Sequence, residues 1–374
     1  MSDYEQDYSS DDGCRKEKNR SCFGPYVVVA SMDESALTII REKCVRKLGD
    51  QATLSVNTGC GSSNVYPIPL MDQELIAVTD RGNNKVKLYK ACNMKYCREV
   101  CVDETPFHMW YNQSKCQLWV TCIGSKTVNV ICTRKWKVIK KICMPSDLSE
   151  EFNFHDVTIT QCGAVVTVLG STTIGYVLKY STCSFKERGR IQVVRDPHVL
   201  SFGQECDFLY VAAQGGKVYK IDAKKFKICK EVDFVGAHGI WLSNDRKRLF
   251  VANITADSCQ TATAIGVFDT KNLTLKYSID SVIATPHNLL LSQDNCVLYV
   301  THTAESRIVI HYLKKRCAVK EVKVLNAPRA PMGLTHYPLD LGYQCCEKRC
   351  EGKCEMKCEK RCEKKDCKCG GRSY

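Results

Sequence analysis

Pro286 to His302 reads PHNLLLSQDNCVLYVTH, and two earlier stretches share its design: AHGIWLSNDRKRLFVAN from Ala237 to Asn253 and PHVLSFGQECDFLYVAA from Pro197 to Ala213. Each is a short apolar strand, a polar turn, and a second strand ending in an aromatic-Val pair. Weaker copies are FHMWYNQSKCQLWVTC from Phe107 and FHDVTITQCGAVVTVLG from Phe154. After each second strand comes a small-residue turn and an alternating third strand, such as KVKLYK from Lys85, TVNVIC from Thr127, KVYKID from Lys217 or IGVFDT from Ile265. A fourth follows, as in FKICKEV from Phe226 and LTLKYSI from Leu273. Four short strands joined by tight turns form one antiparallel sheet, and this repeat of about 45 residues predicts an all-β propeller.

With the valine of the second strand as a marker, the copies fall at Val29, Val78, Val120, Val168, Val211, Val251 and Val300, which predicts seven blades. The first copy starts at its second strand, YVVVAS from Tyr26, whereas PMGLTHYP from Pro331 is a first strand with nothing after it. Pairing the C-terminal strand with the N-terminal three closes the ring and removes the open sheet edge. The expected organisation is an acidic disordered head (1–22), a seven-bladed β-propeller of four-stranded antiparallel blades (23–342) and a Cys-rich tail (343–374).

These residues resemble the YVTN-type β-propeller repeat family. The match is best at Leu249 to Asn253 with Val267 to Thr270, and at Leu298 to Thr301. The resemblance covers nearly all of the predicted core and implies the fold; function varies widely on this architecture, which serves scaffolds, lactonases, copper enzymes and cell-surface proteins.

Five of the eight histidines occupy one repeat position: His108, His155, His198, His238 and His287. The closing copy has Met332 there, and the irregular second copy places the slot near Val65. First strands line a propeller's channel, so the slot predicts a ring at one mouth. Converging imidazoles ligate copper, zinc, nickel or iron, and a thioether beside them favours copper, so copper or zinc is the expected metal if the ring is a site rather than a repeat consensus. His302 and His336 are expected in a second layer, and His311 in the next strand. Lactonases of this fold combine an acid, an arginine and a histidine in the channel, but their Pro-Arg-His opening is absent; Arg329, Glu104 and Asp196 qualify by position alone. No Gly-x-Ser-x-Gly elbow, phosphate-binding loop or His-Glu-x-x-His occurs. The acceptor patterns at Asn112, Asn253 and Asn272 are discounted because the acidic start lacks the basic and apolar regions of a secretory signal.

The chain has 26 cysteines in 374 residues, eight of them between Cys345 and Cys369. A tetrapeptide rhythm sets Cys346, Cys350, Cys354, Cys358 and Cys362 four apart, and Cys367 and Cys369 close the run. The tail reads three ways: soft-metal thiolates, disulfide cross-links between subunits, or a polyampholyte without fixed partners. Cys132, Cys183, Cys229 and Cys317 are expected near the outer strands, where rim thiols would favour self-association. Without a signal, the expected location is cytoplasmic or, for a cross-linked assembly, the virion of a large DNA virus.

The net charge is +13, with basic runs at Lys135, Lys137, Lys140 and Lys141 and at Lys224, Lys225 and Lys227. Basic outer strands discourage edge-to-edge pairing. No nucleic-acid-reading motif accompanies them, and no apolar run approaches the roughly 18 residues of a membrane span. The chain reads as a binding or structural module, with a protein partner or self-association expected. A copper-type metalloenzyme using the histidine ring is the alternative, and a lactonase-like hydrolase a more distant one.

Overall fold

The computed structural model describes residues 25–148, 151–200, 208–256, 264–313, 319–327 and 329–337. The acidic head, the Cys-rich tail and Cys317 lie outside the described residues. Seven four-stranded antiparallel sheets form the ring. Blade 1 runs in the order Pro331–Tyr337, Tyr26–Ser31, Ala36–Arg41, Thr53–Asn57, so the last strand does close the ring on the first three. The register pairs Tyr26 with Tyr337 and Val29 with Leu334.

The other blades run in sequence. They begin at Asn64–Leu70 (blade 2), Pro106–Asn112 (blade 3), Asn153–Thr160 (blade 4), Pro197–Leu200 (blade 5), Ala237–Leu242 (blade 6) and Leu289–Leu291 (blade 7), and these first strands pack on one another around the channel. Middle strands are buried on both faces because each sheet is sandwiched between neighbours. Gln117–Cys122 and Thr127–Cys132 are buried at every position. The outermost strand has no neighbour on one edge, and Lys227–Asp233 is exposed almost throughout. The sequence encodes this as QLWVTC against KICKEVD.

One element departs from the repeat. Blade 1 inserts a helix, Glu42–Leu48, between its second and third strands. The helix and the turn Gly49–Ala52 that follows it tie blade 1 to blade 7: Arg46 donates to Glu321 at 2.9 Å, Asp50 accepts from Asn326, and Glu42 accepts from the Tyr299 hydroxyl at 3.0 Å. The seam where the two ends of the chain meet thus carries polar bonds besides the ladder.

The rim thiols need correction. Cys132 lies on a third strand and is buried, because its strand is covered by the next blade, and Cys183 sits partly buried in a turn. Cys229 is exposed on an outermost strand, as are Cys97, Cys101 and Cys143. Asn112 and Asn253 are buried, which removes two of the three glycosylation patterns. Among the described residues, no helix is long and apolar enough to cross a membrane.

Candidate functional site

The register of the first strands decides which residues face the mouth. In blade 3 Met109 pairs with Val120, in blade 6 Ile240 with Val251, and in blade 7 Leu289 with Val300. In blade 4 the equivalent partner of Val157 is Val166, so Val166 and not Val168 is the marker of that blade. The first strands of blades 2, 3, 4 and 6 and the closing strand carry a bulge just before the marker pair, placing two residues of one strand opposite one of the next.

A threonine after the marker fixes this register. Thr79 Oγ1 accepts the Tyr66 N–H at 2.9 Å and donates to the Phe107 carbonyl at 2.8 Å. Thr121 accepts from His108 N–H and donates to the His155 carbonyl at 2.6 Å, and Thr301 accepts from Asn288 N–H and donates to the Met332 carbonyl at 3.2 Å. Thr167 accepts the Asp156 N–H at 2.9 Å. The Thr79, Thr121 and Thr167 hydroxyls close the bulges of their own blades, Thr301 makes the same contact in blade 7, and three of the four also tie in the next blade.

The five histidines therefore split between two adjacent places. His108 and His198 stand where blade 4 has Asp156 and blade 7 has Asn288; His155, His238 and His287 stand where blade 3 has Phe107 and the closing strand has Met332. Phe107-His108 and Phe154-His155 look alike in sequence but are offset by one residue in the ring. The Val-Thr pairs at 78–79, 120–121, 166–167 and 300–301 are the signal that would have shown it.

All five histidines and Met332 line one cavity of about 100 Å³, together with Tyr66, Trp110, Asp156 and Trp241. The histidine rings follow one another: His155 to His198 at 4.7 Å between centroids, His198 to His238 at 3.8 Å, His238 to His287 at 4.3 Å. Tyr66 packs on His108 at 3.9 Å. Glycine is required beside them, since a Cβ on Gly239 would lie 2.0 Å from the His287 carbonyl oxygen.

Sequence reasoning missed Asp156, whose strand place was masked by the one-residue offset. Its Oδ1 lies 3.0 Å from His155 Nδ1 and its Oδ2 lies 3.2 Å from His198 Nδ1. Among His, Cys, Asp and Glu of the described residues, His155, Asp156 and His198 form a group whose ligand atoms all come within 4.8 Å of one another. Burial alone would raise the Asp156 carboxyl, but His108, His155 and His198 around it hold it well below the usual carboxylate range.

Burial favours the neutral form of the remaining three rings. Burial pushes His108 down to about 4, offset in part by Asp156, and pushes His287 down to about 3. Burial and the neighbouring imidazoles hold His238 well below 6.5. Met332 Sδ lies 3.6 Å from the Thr303 hydroxyl.

Other candidates lie elsewhere. Glu104 and Arg329 are exposed, and Asp196 faces Arg195 at 3.5 Å; none lines the cavity, and no Lys or Arg among the described residues does. His302 bonds the Ala284 carbonyl at 2.7 Å, His336 Nδ1 lies 3.3 Å from Glu42, and His311 is fully buried in blade 7. The expected second layer does not reach the cavity.

No protein-family model matches the chain, and no curated protein does. Solved structures share the fold. A candidate 6-phosphogluconolactonase from Bacteroides fragilis superposes with a TM-score of 0.64 at 15% identity, covering 84% of this chain and 98% of that one. The periplasmic gluconolactonase of Pseudomonas aeruginosa gives 0.62 at 13%, covering 85% and 100%. A chain of a mitotic checkpoint complex gives 0.58 at 12%, covering 75% and 82%. At these identities the likeness is one of architecture, and it spans lactonases and components of protein complexes alike.

Proposed function

We propose that this propeller is a binding module whose working site is the channel mouth, where His155, Asp156 and His198 hold a divalent transition-metal ion. The observation that carries this reading is the spacing of the three groups. One ligand atom from each residue lies within 4.8 Å of the other two, close to the spacing of about 3.4 Å around a tetrahedral ion with bonds of about 2.1 Å. Two imidazoles and a carboxylate suit zinc or iron(II), with coordination positions left open; copper would draw on the Met332 side of the cavity. The cavity of about 100 Å³ has room for an ion and small co-ligands.

Equilibrium dialysis against zinc and against iron(II), followed by elemental analysis, tests this. One equivalent retained by the full chain, and lost in Asp156→Ala, is the expected result. Metal retained equally by Asp156→Ala but lost on deleting residues after Tyr343 would move the site to the tail.

A second reading rests on the exposed thiols Cys97, Cys101, Cys143 and Cys229 on outermost strands. They suit covalent self-association of the propeller, in a virion or another cross-linked assembly. Non-reducing electrophoresis from the native source tests it: disulfide-linked oligomers are expected, and monomer alone would remove the idea.

A further inference from the structure

The hydrogen bonds at the mouth sort the imidazoles into two kinds. The backbone N–H of Val157 donates to His108 Nδ1 at 3.3 Å, so that nitrogen carries no proton and the ring's proton sits on Nε2. The Asn288 amide nitrogen lies 2.9 Å from His287 Nδ1 and also 3.3 Å from the Met332 carbonyl oxygen, an arrangement in which the amide donates to both. The Gln214 amide nitrogen donates likewise to His238 Nδ1 at 2.9 Å. His108, His238 and His287 are thereby set as Nε2–H tautomers. No hydrogen bond from these three Nε2–H groups is found among the described residues, and all three residues line the cavity. His155 and His198 instead turn Nδ1 to the Asp156 carboxylate.

Charge bookkeeping gives these donors a purpose. A divalent ion beside ionised Asp156 leaves one positive charge in a buried cavity, and Asp156 is the sole acid lining it among the described residues. An uncompensated buried charge is costly. We propose that the mouth takes a small oxyanion as co-ligand of the metal, its oxygens accepting hydrogen bonds from Nε2–H of His108, His238 and His287. A cavity of about 100 Å³ suits an anion of the size of phosphate or a short carboxylate. This inference rests on the metal reading above.

The test loads the metal-stripped full chain with cobalt(II), whose visible bands report both binding and exchange of a ligand. Inorganic phosphate and acetate are then titrated in separate arms, with perchlorate as a weakly coordinating control. Saturable band shifts with phosphate or acetate, absent with perchlorate, are expected, and the responding arm names the anion class. His238→Phe should weaken that anion about tenfold, the typical worth of one hydrogen bond to a charged group, with cobalt stoichiometry unchanged. His238→Gln, which keeps an N–H donor, should recover most of the loss. If His238→Phe does not fold, His287→Phe, at a less buried ring, is read in its place. Cobalt binding with no oxyanion shift, or with the anion affinity unchanged in the folded Phe variant, overturns the inference and leaves the metal site standing. Absence of one-to-one cobalt binding overturns the metal reading and this inference with it.

Discussion

The mouth and the rim are built from the same repeat and obey different rules. Along the first strands a single residue of offset decides whether a histidine occupies the place of Phe107 or that of Asp156, because the strands are bulged and packed on every side. Along the outermost strands a comparable slip would mostly exchange one exposed side chain for another, as in the run Lys227–Asp233. Position is tightly specified where neighbours and unpaired backbone groups surround it, and loosely where water does.

Substitutions at the two places should therefore differ by orders of magnitude. Asp156→Ala at the mouth should lower zinc or iron(II) affinity more than 100-fold by competition titration, whereas Lys230→Ala at the rim should leave it unchanged. Equal effects would erase the distinction between the regions.

Acid should also separate buried from exposed groups. His311 is fully buried, and burial, helped by His302, pushes it down to about 4 from 6.5. Because the unfolded chain takes the proton first, the neutral ring stabilises the fold above pH 6.5, and that contribution is lost as pH falls from 6.5 towards 4. The shift corresponds to about 3 kcal/mol at most, at 1.36 kcal/mol per unit. Urea titrations of His311→Leu between pH 7 and pH 4.5 should show a flatter decline than the parent; parallel curves would refute the assignment.

Removing one bulge-closing hydroxyl should cost less. Thr121→Val leaves the buried His108 N–H and His155 carbonyl without that partner. A loss of about 1–3 kcal/mol in urea unfolding is expected. Cys229→Ser on an exposed outer strand should stay within about 0.5 kcal/mol.

The same contrast explains what could be read from the residues. The seven blades and their closure were legible because burial of middle strands on both faces imposes near-continuous apolar runs, as in YVVVAS and QLWVTC. The histidine cluster was legible as a recurring position. Its finer register was not, because a bulge adds a residue without changing the apolar pattern, and Asp156 vanished into the offset. The helix Glu42–Leu48 follows from no repeat, and its bonds to blade 7 join residues more than 250 positions apart.

Closure by the last strand also sets an order of events during synthesis. Tyr26–Ser31 leaves the ribosome early, but its partner Pro331–Tyr337 follows some 300 residues later. At about 5–20 residues per second, that edge stays bare for about 15–60 s. A chain that lacks Pro331–Tyr337 leaves the Tyr26–Ser31 edge without its ladder partner, so the ring is closed only once the last blade strand is made.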